Sequence, residues 1–265
     1  SDNARLGAAL NWVAGGCYGT YEDLRYKHMR HHVDNADTIA FDYRAWLKAH
    51  PRTEKLVFTL EWAYVPAVDY MMHGVLMVAP FIGYADKAQR RRGARVLLTR
   101  FAVLAALALW SLKAVLLYWL AYALMLTVLR FFDAFQHNYD IVAILNDSDA
   151  GLPHKGDRDY EEHNTYTNPV SRRWPVFNLL ILNFCYHNAH HTRPTTPWYK
   201  LPALHRELYG DHFERTLPLH QQLRSYHRHR LAGIHAETYG QVPAPQAMRE
   251  GSAVPVYGLS FLTAF

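Results

Sequence analysis

Two histidine clusters of identical spacing are the chemistry-bearing feature of this sequence: His28-Met-Arg-His31-His32 and His187-Asn-Ala-His190-His191. On a helix, positions i, i+3 and i+4 share one face, so each cluster aims three imidazoles toward one place. Two such helices facing each other offer six nitrogen ligands. Imidazole suits iron, zinc and copper alike, so ligand type does not choose the metal. A structural zinc site closes with four ligands, and six or more histidines point to two metal ions. One cluster alone also reads as a basic helix end with solvated histidines; the repeated spacing carries the metal reading.

Histidine is abundant, 17 in 265 residues, and further candidates follow. His137 lies just past a long apolar stretch, in Phe131-Phe-Asp-Ala-Phe-Gln-His137. Asp133 precedes it by one helical turn and is placed to orient a ligand. His163, in Glu161-Glu-His163-Asn-Thr, reads either as a further outer partner of the site or as a plain loop residue.

These groups need elements to carry them. Residues 96–132 are the longest apolar stretch, with Arg100, Lys113 and Arg130 as its only charges. A bilayer span takes about 20 residues, so this length predicts a hairpin of two short helices turning near residues 111–113. One long buried helix of a soluble bundle is the alternative. If the hairpin's ends reach the same face, His137 emerges beside the two clusters. Residues 1–27 read as a helix with loop ends, broken by Gly15, Gly16 and Gly19. Residues 176–192 read as an apolar helix ending in the second cluster. Residues 140–175 read as a loop over the site, rich in Asp147, Asp149, Asp157, Asp159, Glu161 and Glu162. The tail after 200 reads as charged helix to about residue 235 and then as Pro-rich, irregular chain.

The fold class that results is all-α: a transmembrane helical bundle with a cytoplasmic helical cap holding a histidine-rich di-metal site. Composition agrees. Half the residues are hydrophobic, and Trp and Tyr are plentiful. Trp46, Trp62, Tyr64 and Tyr70 read as interface anchors or as the lining of a substrate channel. Two distant cysteines, Cys17 and Cys185, support neither a disulfide framework nor a Cys-type zinc site. A net charge of +5 with dispersed Lys and Arg fits anionic lipid or an acidic redox partner and excludes a nucleic-acid-binding stripe.

At the clusters the sequence resembles the membrane fatty acid desaturases. His28-x-x-His31-His32, followed by Asp34-Asn35-Ala36-Asp37, is similar to their second histidine box. Tyr186-His187-Asn-Ala-His190-His191, followed by Pro194, Pro197-Trp198-Tyr199 and Leu201-Pro202, is similar to their third. The stretch from His154 through His163 to Leu201-Pro202 also resembles the carotenoid ketolases of the same superfamily. The resemblance spans about residues 1–205. It implies a di-iron centre at the cytoplasmic end of transmembrane helices, held by His28, His31, His32, His137, His187, His190 and His191. It also implies O2, with zinc able to replace iron, and two electrons from a donor such as ferredoxin, rubredoxin or cytochrome b5. A first box, His-x(3,4)-His, belongs to the family and no histidine precedes His28. The expectation is that this box and a first transmembrane pair lie upstream of residue 1.

The expected function is desaturation of a fatty-acyl or similar lipid chain by a membrane-bound oxidoreductase. Lipid or carotenoid hydroxylation or ketolation uses the same ligands and stays open. A zinc-binding membrane hydrolase or receptor is the rival from another class. Residues 1–205 form the expected membrane domain, with a cytoplasmic helix and tail at 206–265. The basic run at 86–95 belongs on the cytoplasmic side. Both clusters share one site, so residues 62–82, which hold Asp69, His73 and two prolines, are expected to lie along the interface or enter and return without crossing.

Overall fold

The computed structural model describes residues 4–9, 20–39, 41–82, 87–139, 142–144, 151–211, 213–231 and 234. The glycines at 15, 16 and 19, the acids Asp147 and Asp149, and the tail beyond 234 lie outside these residues. The chain is mostly helical. A short helix α1 occupies residues 4–9, and α2 (Tyr21–Asp34) carries the first cluster.

The start of α2 is set by a capping box. The Thr20 hydroxyl accepts from the Asp23 amide, and the Asp23 carboxylate accepts from the Thr20 amide. Its end is set by Asn35 in the left-handed region, φ 49°. The Asn35 side chain donates to the carbonyls of His154 and Asp157, which ties a distant loop to this helix end.

Beyond Asn35 the chain forms β1 (Asp37–Ile39), which pairs in parallel with β2 (Val142–Ile144) in the register Asp37↔Val142. This two-stranded ladder matters beyond its size. It aligns the chain leaving α2 with the chain leaving the apolar hairpin, which brings the first cluster and His137 to the same level.

Helices α3 (Tyr43–Ala49), α4 (Pro51–Trp62) and α5 (Ala67–Ile82) follow. Tyr43, Leu47, Val57, Val68 and Met72 form their shared core. The hairpin is α6 (Lys87–Trp110) and α7 (Leu112–Asp133), joined through Ser111 alone. Both helices are long and apolar enough to cross a bilayer, and their side chains stay largely uncovered, Leu109 91 % and Trp110 80 % exposed. In water that apolar surface would be strongly unfavourable; in lipid it is the solvent-facing side. The soluble-bundle alternative fails on this exposure.

α5 does not run the length of the hairpin. Near its start, Asp69 and Glu61 of α4 bind Arg130, about one turn from the end of α7. Near its end, Pro80 and Phe81 pack on Gly93, about two turns from the start of α6. Both ends of α5 therefore meet the hairpin near the end that carries His137. Of the aromatics in this half, Tyr70 packs on Trp119 and Tyr122 of α7, whereas Trp62 is 66 % exposed.

After β2 come α8 (Arg158–His163), a 3-10 segment (Pro175–Ile181), α9 (His187–Thr192), a 3-10 turn (Trp198–Lys200), α10 (Leu201–Tyr209) and α11 (Leu219–His229). Two expectations are corrected here. The continuous helix over 176–192 is broken, because Leu182 and Asn183 both take positive φ, 51° and 55°. The second cluster therefore sits on its own short helix. The helical tail is likewise broken, with α10 ending at Gly210 at φ 71°.

Candidate metal centre

Each site histidine is placed by an element whose local sequence fixes it. α2 presents His28 and His32 one turn apart with His31 between them. α9 does the same for His187, His190 and His191. His137 follows α7 and is held by backbone pairing with Thr165.

Their Nε2 atoms converge. His28, His32 and His190 form a triangle with all three edges 3.1 Å. The second group is His31, His137, His187 and His191, in which Nε2 of His137 lies 2.8 Å from those of His187 and His191 and 3.2 Å from that of His31. The sequence pattern assigns each cluster to one place, but the structure divides both. His31 of the first cluster joins the group that holds His187 and His191, and His190 of the second joins His28 and His32. Two subsites of three and four imidazoles result, each drawn from both clusters.

The fit to metal ions rests on these edges. Ligand nitrogens about 2.1 Å from one ion stand about 3.0–3.2 Å apart when cis at roughly 90–100°, and about 3.4 Å apart at tetrahedral angles. The edges of 3.1 and 3.2 Å follow the first pattern, and the two of 2.8 Å from His137 are shorter than either. The tautomers fit as well. His31 Nδ1 donates to the Ala36 carbonyl at 2.9 Å, and His191 Nδ1 donates to Glu161 at 2.7 Å. Both Nε2 atoms are then bare lone pairs facing inward, the state a metal ligand requires.

Burial keeps the rings neutral. It lowers His28 to about 4 and His190 to about 2, with neighbouring imidazoles adding to the effect. It also holds His31, His137, His187 and His191 well below the usual range. Behind His137 lie Asp37, 3.8 Å from its Nδ1, and a buried group of Lys27 and Asp133. Burial lowers the Lys27 ammonium to about 7 against the opposing pull of Asp133 and Asp37. Asp133 is thus buried with Lys27 beside the half-buried Asp37, close to the site but not within either Nε2 group.

His163 does not join the site. It is exposed, and its Nδ1 bonds the Asp159 carbonyl of its own helix. Glu161, two residues earlier and on the inner face of α8, takes the place expected of it. Its Oε1 binds His191 and lies 3.8 Å from His32 Nδ1, so one carboxylate stands behind a ring of each subsite. In the sequence Glu161 was one acid among several in a loop. Its partner is 30 residues away across the fold, and nothing local distinguishes it from Glu162. A cavity of about 150 Å³ opens behind Glu161 and His191, lined also by Thr165, Asn188 and Tyr209. On another side, rings stack outward from His137 through Tyr139 and Tyr160 to His154, with centroid steps of 4.7, 5.8 and 3.7 Å.

With this geometry stand the comparisons with known proteins. The profile of the fatty acid desaturase family matches residues 2–240. The chain belongs to the fatty acid desaturase family. No curated protein and no solved structure matches it. Membership makes it a membrane enzyme of oxidative lipid chemistry whose histidine groups suit metal ions.

Proposed function

We propose that the protein is a di-iron, O2-dependent desaturase of fatty-acyl or similar lipid chains, with its active site on the cytoplasmic side of the membrane. The observation that carries this reading is the pair of Nε2 groups with edges of 2.8–3.2 Å. Three and four imidazoles leave positions open on each ion, and the short edges favour octahedral iron over closed tetrahedral zinc. His28, His32 and His190 would hold one ion, and His31, His137, His187 and His191 would hold the other.

Bound there, iron supplies the oxidising chemistry of dioxygen. The balanced reaction removes two hydrogens from adjacent carbons: R–CH2–CH2–R′ + O2 + 2 e⁻ + 2 H⁺ gives R–CH=CH–R′ + 2 H2O. The chain's own residues prepare the site. Ala36 and Glu161 fix ring tautomers, burial holds the imidazoles neutral, and the packed core keeps bulk water from the reacting carbons. The electrons come from a separate one-electron carrier such as ferredoxin, rubredoxin or cytochrome b5. The ring stack from His137 to His154 supports entry on that side.

The test uses protein reconstituted with iron under anaerobic conditions in lipid, then supplied with acyl substrate, carrier and O2. Two iron atoms per chain and a product lighter by two hydrogens are expected. A product heavier by one oxygen places the enzyme with the hydroxylases, and one tightly held zinc with no oxidation overturns the reading.

A further inference from the structure

The 3-10 segment at Pro175–Ile181 is built inside out. Its inward residue is polar: Asn178 is fully buried, with its Oδ1 accepting from the Ser171 amide and its Nδ2 donating to the Ser171 carbonyl and the Tyr186 hydroxyl. Its outward residues are apolar: Trp174, Val176, Phe177, Leu179, Leu180 and Leu182 are all exposed, Leu180 at 78 %. A water-facing loop has the reverse pattern. The shape is also fixed, because the two left-handed residues Leu182 and Asn183 fold the chain back and Asn183 N–H closes on the Asn178 carbonyl at 2.9 Å. Apolar side chains held outward by a satisfied polar interior make a contact surface.

Position and charge identify what they contact. The Asn168 side chain donates to the Phe132 carbonyl, which ties the start of this region to the site-bearing end of α7. The apolar run thus begins, at Trp174, six residues from a tie to the hairpin's site-bearing end. Arg172 and Arg173 precede it, with Arg173 over the Trp174 ring at 5.5 Å. Trp198, Tyr199 and Lys200 make up the next 3-10 turn, with both aromatic rings exposed. Aromatic rings and snorkelling cations around an apolar tip are the composition of a bilayer interface.

We propose that residues 174–182 insert into the bilayer interface on the side of the histidine site as a monotopic anchor, separate from the two spans. Phe184, just past the fold-back, packs against His187 and His190 with ring centroids 5.2 and 4.9 Å apart. The anchor therefore places the membrane within a few residues of the second cluster. The inference depends on membrane residence alone and not on the metal or the reaction.

The test is nitroxide labelling of L180C in a C17S background, in nanodiscs of phosphatidylcholine with a minority of phosphatidylglycerol. Cys185 stays, since its thiol is buried and pushed up to about 12. L116C, on the exposed face of α7, is the lipid standard, and K155C is the aqueous standard. The label at 180 should collide with oxygen several-fold more readily than with a water-soluble nickel chelate, as at 116, and F177C should repeat the result. Preference for the chelate, as at 155, overturns the proposal. So does shielding from both relaxers, which would mean that a second copy or the chain after residue 234 covers the segment.

Discussion

Glu161 shows how much one side chain outside the ligand sets can control. Its carboxylate bonds His191 directly and stands 3.8 Å from His32 Nδ1, so it lies behind a ring of each subsite. Outer partners of this kind contribute about 10–100-fold in metal affinity. E161A should therefore lower the retention of both ions, measured as metal per chain after dialysis against a chelator. E161Q, which can still accept through its amide oxygen, should recover part of it. The ligands themselves should separate the subsites: H190A is expected to release one ion and H187A the other, because these neighbours on α9 belong to different groups. Loss of both ions in each variant would show that the subsites do not load independently.

Acid should act on the same residues. In the metal-free protein His28 titrates near 4 and His190 near 2, below an unfolded value of about 6.5. The unfolded chain then binds more protons, so stability is complete above about pH 6.5 and falls as pH drops toward those folded values. Urea midpoints of the metal-free protein should be higher at pH 7.5 than at pH 5. A flat profile over that interval would contradict the burial of these rings as neutral groups. Most of this site was legible at the residue level. The repeated spacing pointed to six of the seven imidazoles whose Nε2 atoms converge, and the position of His137 after the hairpin pointed to the seventh. Ring partition between subsites and the role of Glu161 were not legible, because both depend on how α8 and α9 meet across the fold.

Among the elements, the joint between α4, α5 and α7 is the least replaceable. Arg130 is buried on α7 and bonds Glu61 through two nitrogens at 2.6 and 2.9 Å, and it also bonds Asp69. Glu61 in turn accepts from the Val68 amide at 2.8 Å. Removing the cation leaves two carboxylates buried without their partner, a loss of about 3–5 kcal/mol for a buried pair. R130M should lower the thermal midpoint in nanodiscs markedly. E61Q/D69N/R130M, which removes all three charges, should recover much of the loss; no recovery would mean that shape rather than charge holds the joint. Sequence pattern read these elements unevenly. The apolar run and its polar midpoint gave the hairpin, although no Gly or Pro marks Ser111. The segment before the second cluster was misjudged because its apolar residues suggest a helix. There they face outward, and paired left-handed residues at Leu182 and Asn183 end the run.

At the scale of the molecule the question is which surfaces share a side of the membrane. α6 starts with Lys87, Arg90, Arg91 and Arg92, and α7 returns to Asp133 and His137. A bilayer crossed twice by this hairpin puts the basic start and the metal centre on one side and Ser111 on the other. Under the topology proposed above the first side is the cytoplasmic one, in line with the positive-inside tendency. α5 must respect the same parity. Its contacts with Arg130 at one end and Gly93 at the other lie near the site-bearing end of the hairpin, while Tyr70 and His73 reach Trp119 and Tyr122 farther along α7; under the proposed topology it adds no crossing. Single cysteines in the C17S background read the arrangement directly with a membrane-impermeant thiol reagent. R91C and K55C, on either side of α5, should label from the same face as H163C. S111C should label only from the opposite face. If K55C and R91C label from opposite faces, α5 crosses the bilayer, and the first cluster could reach the metal centre only through a different path of the chain between α2 and α6.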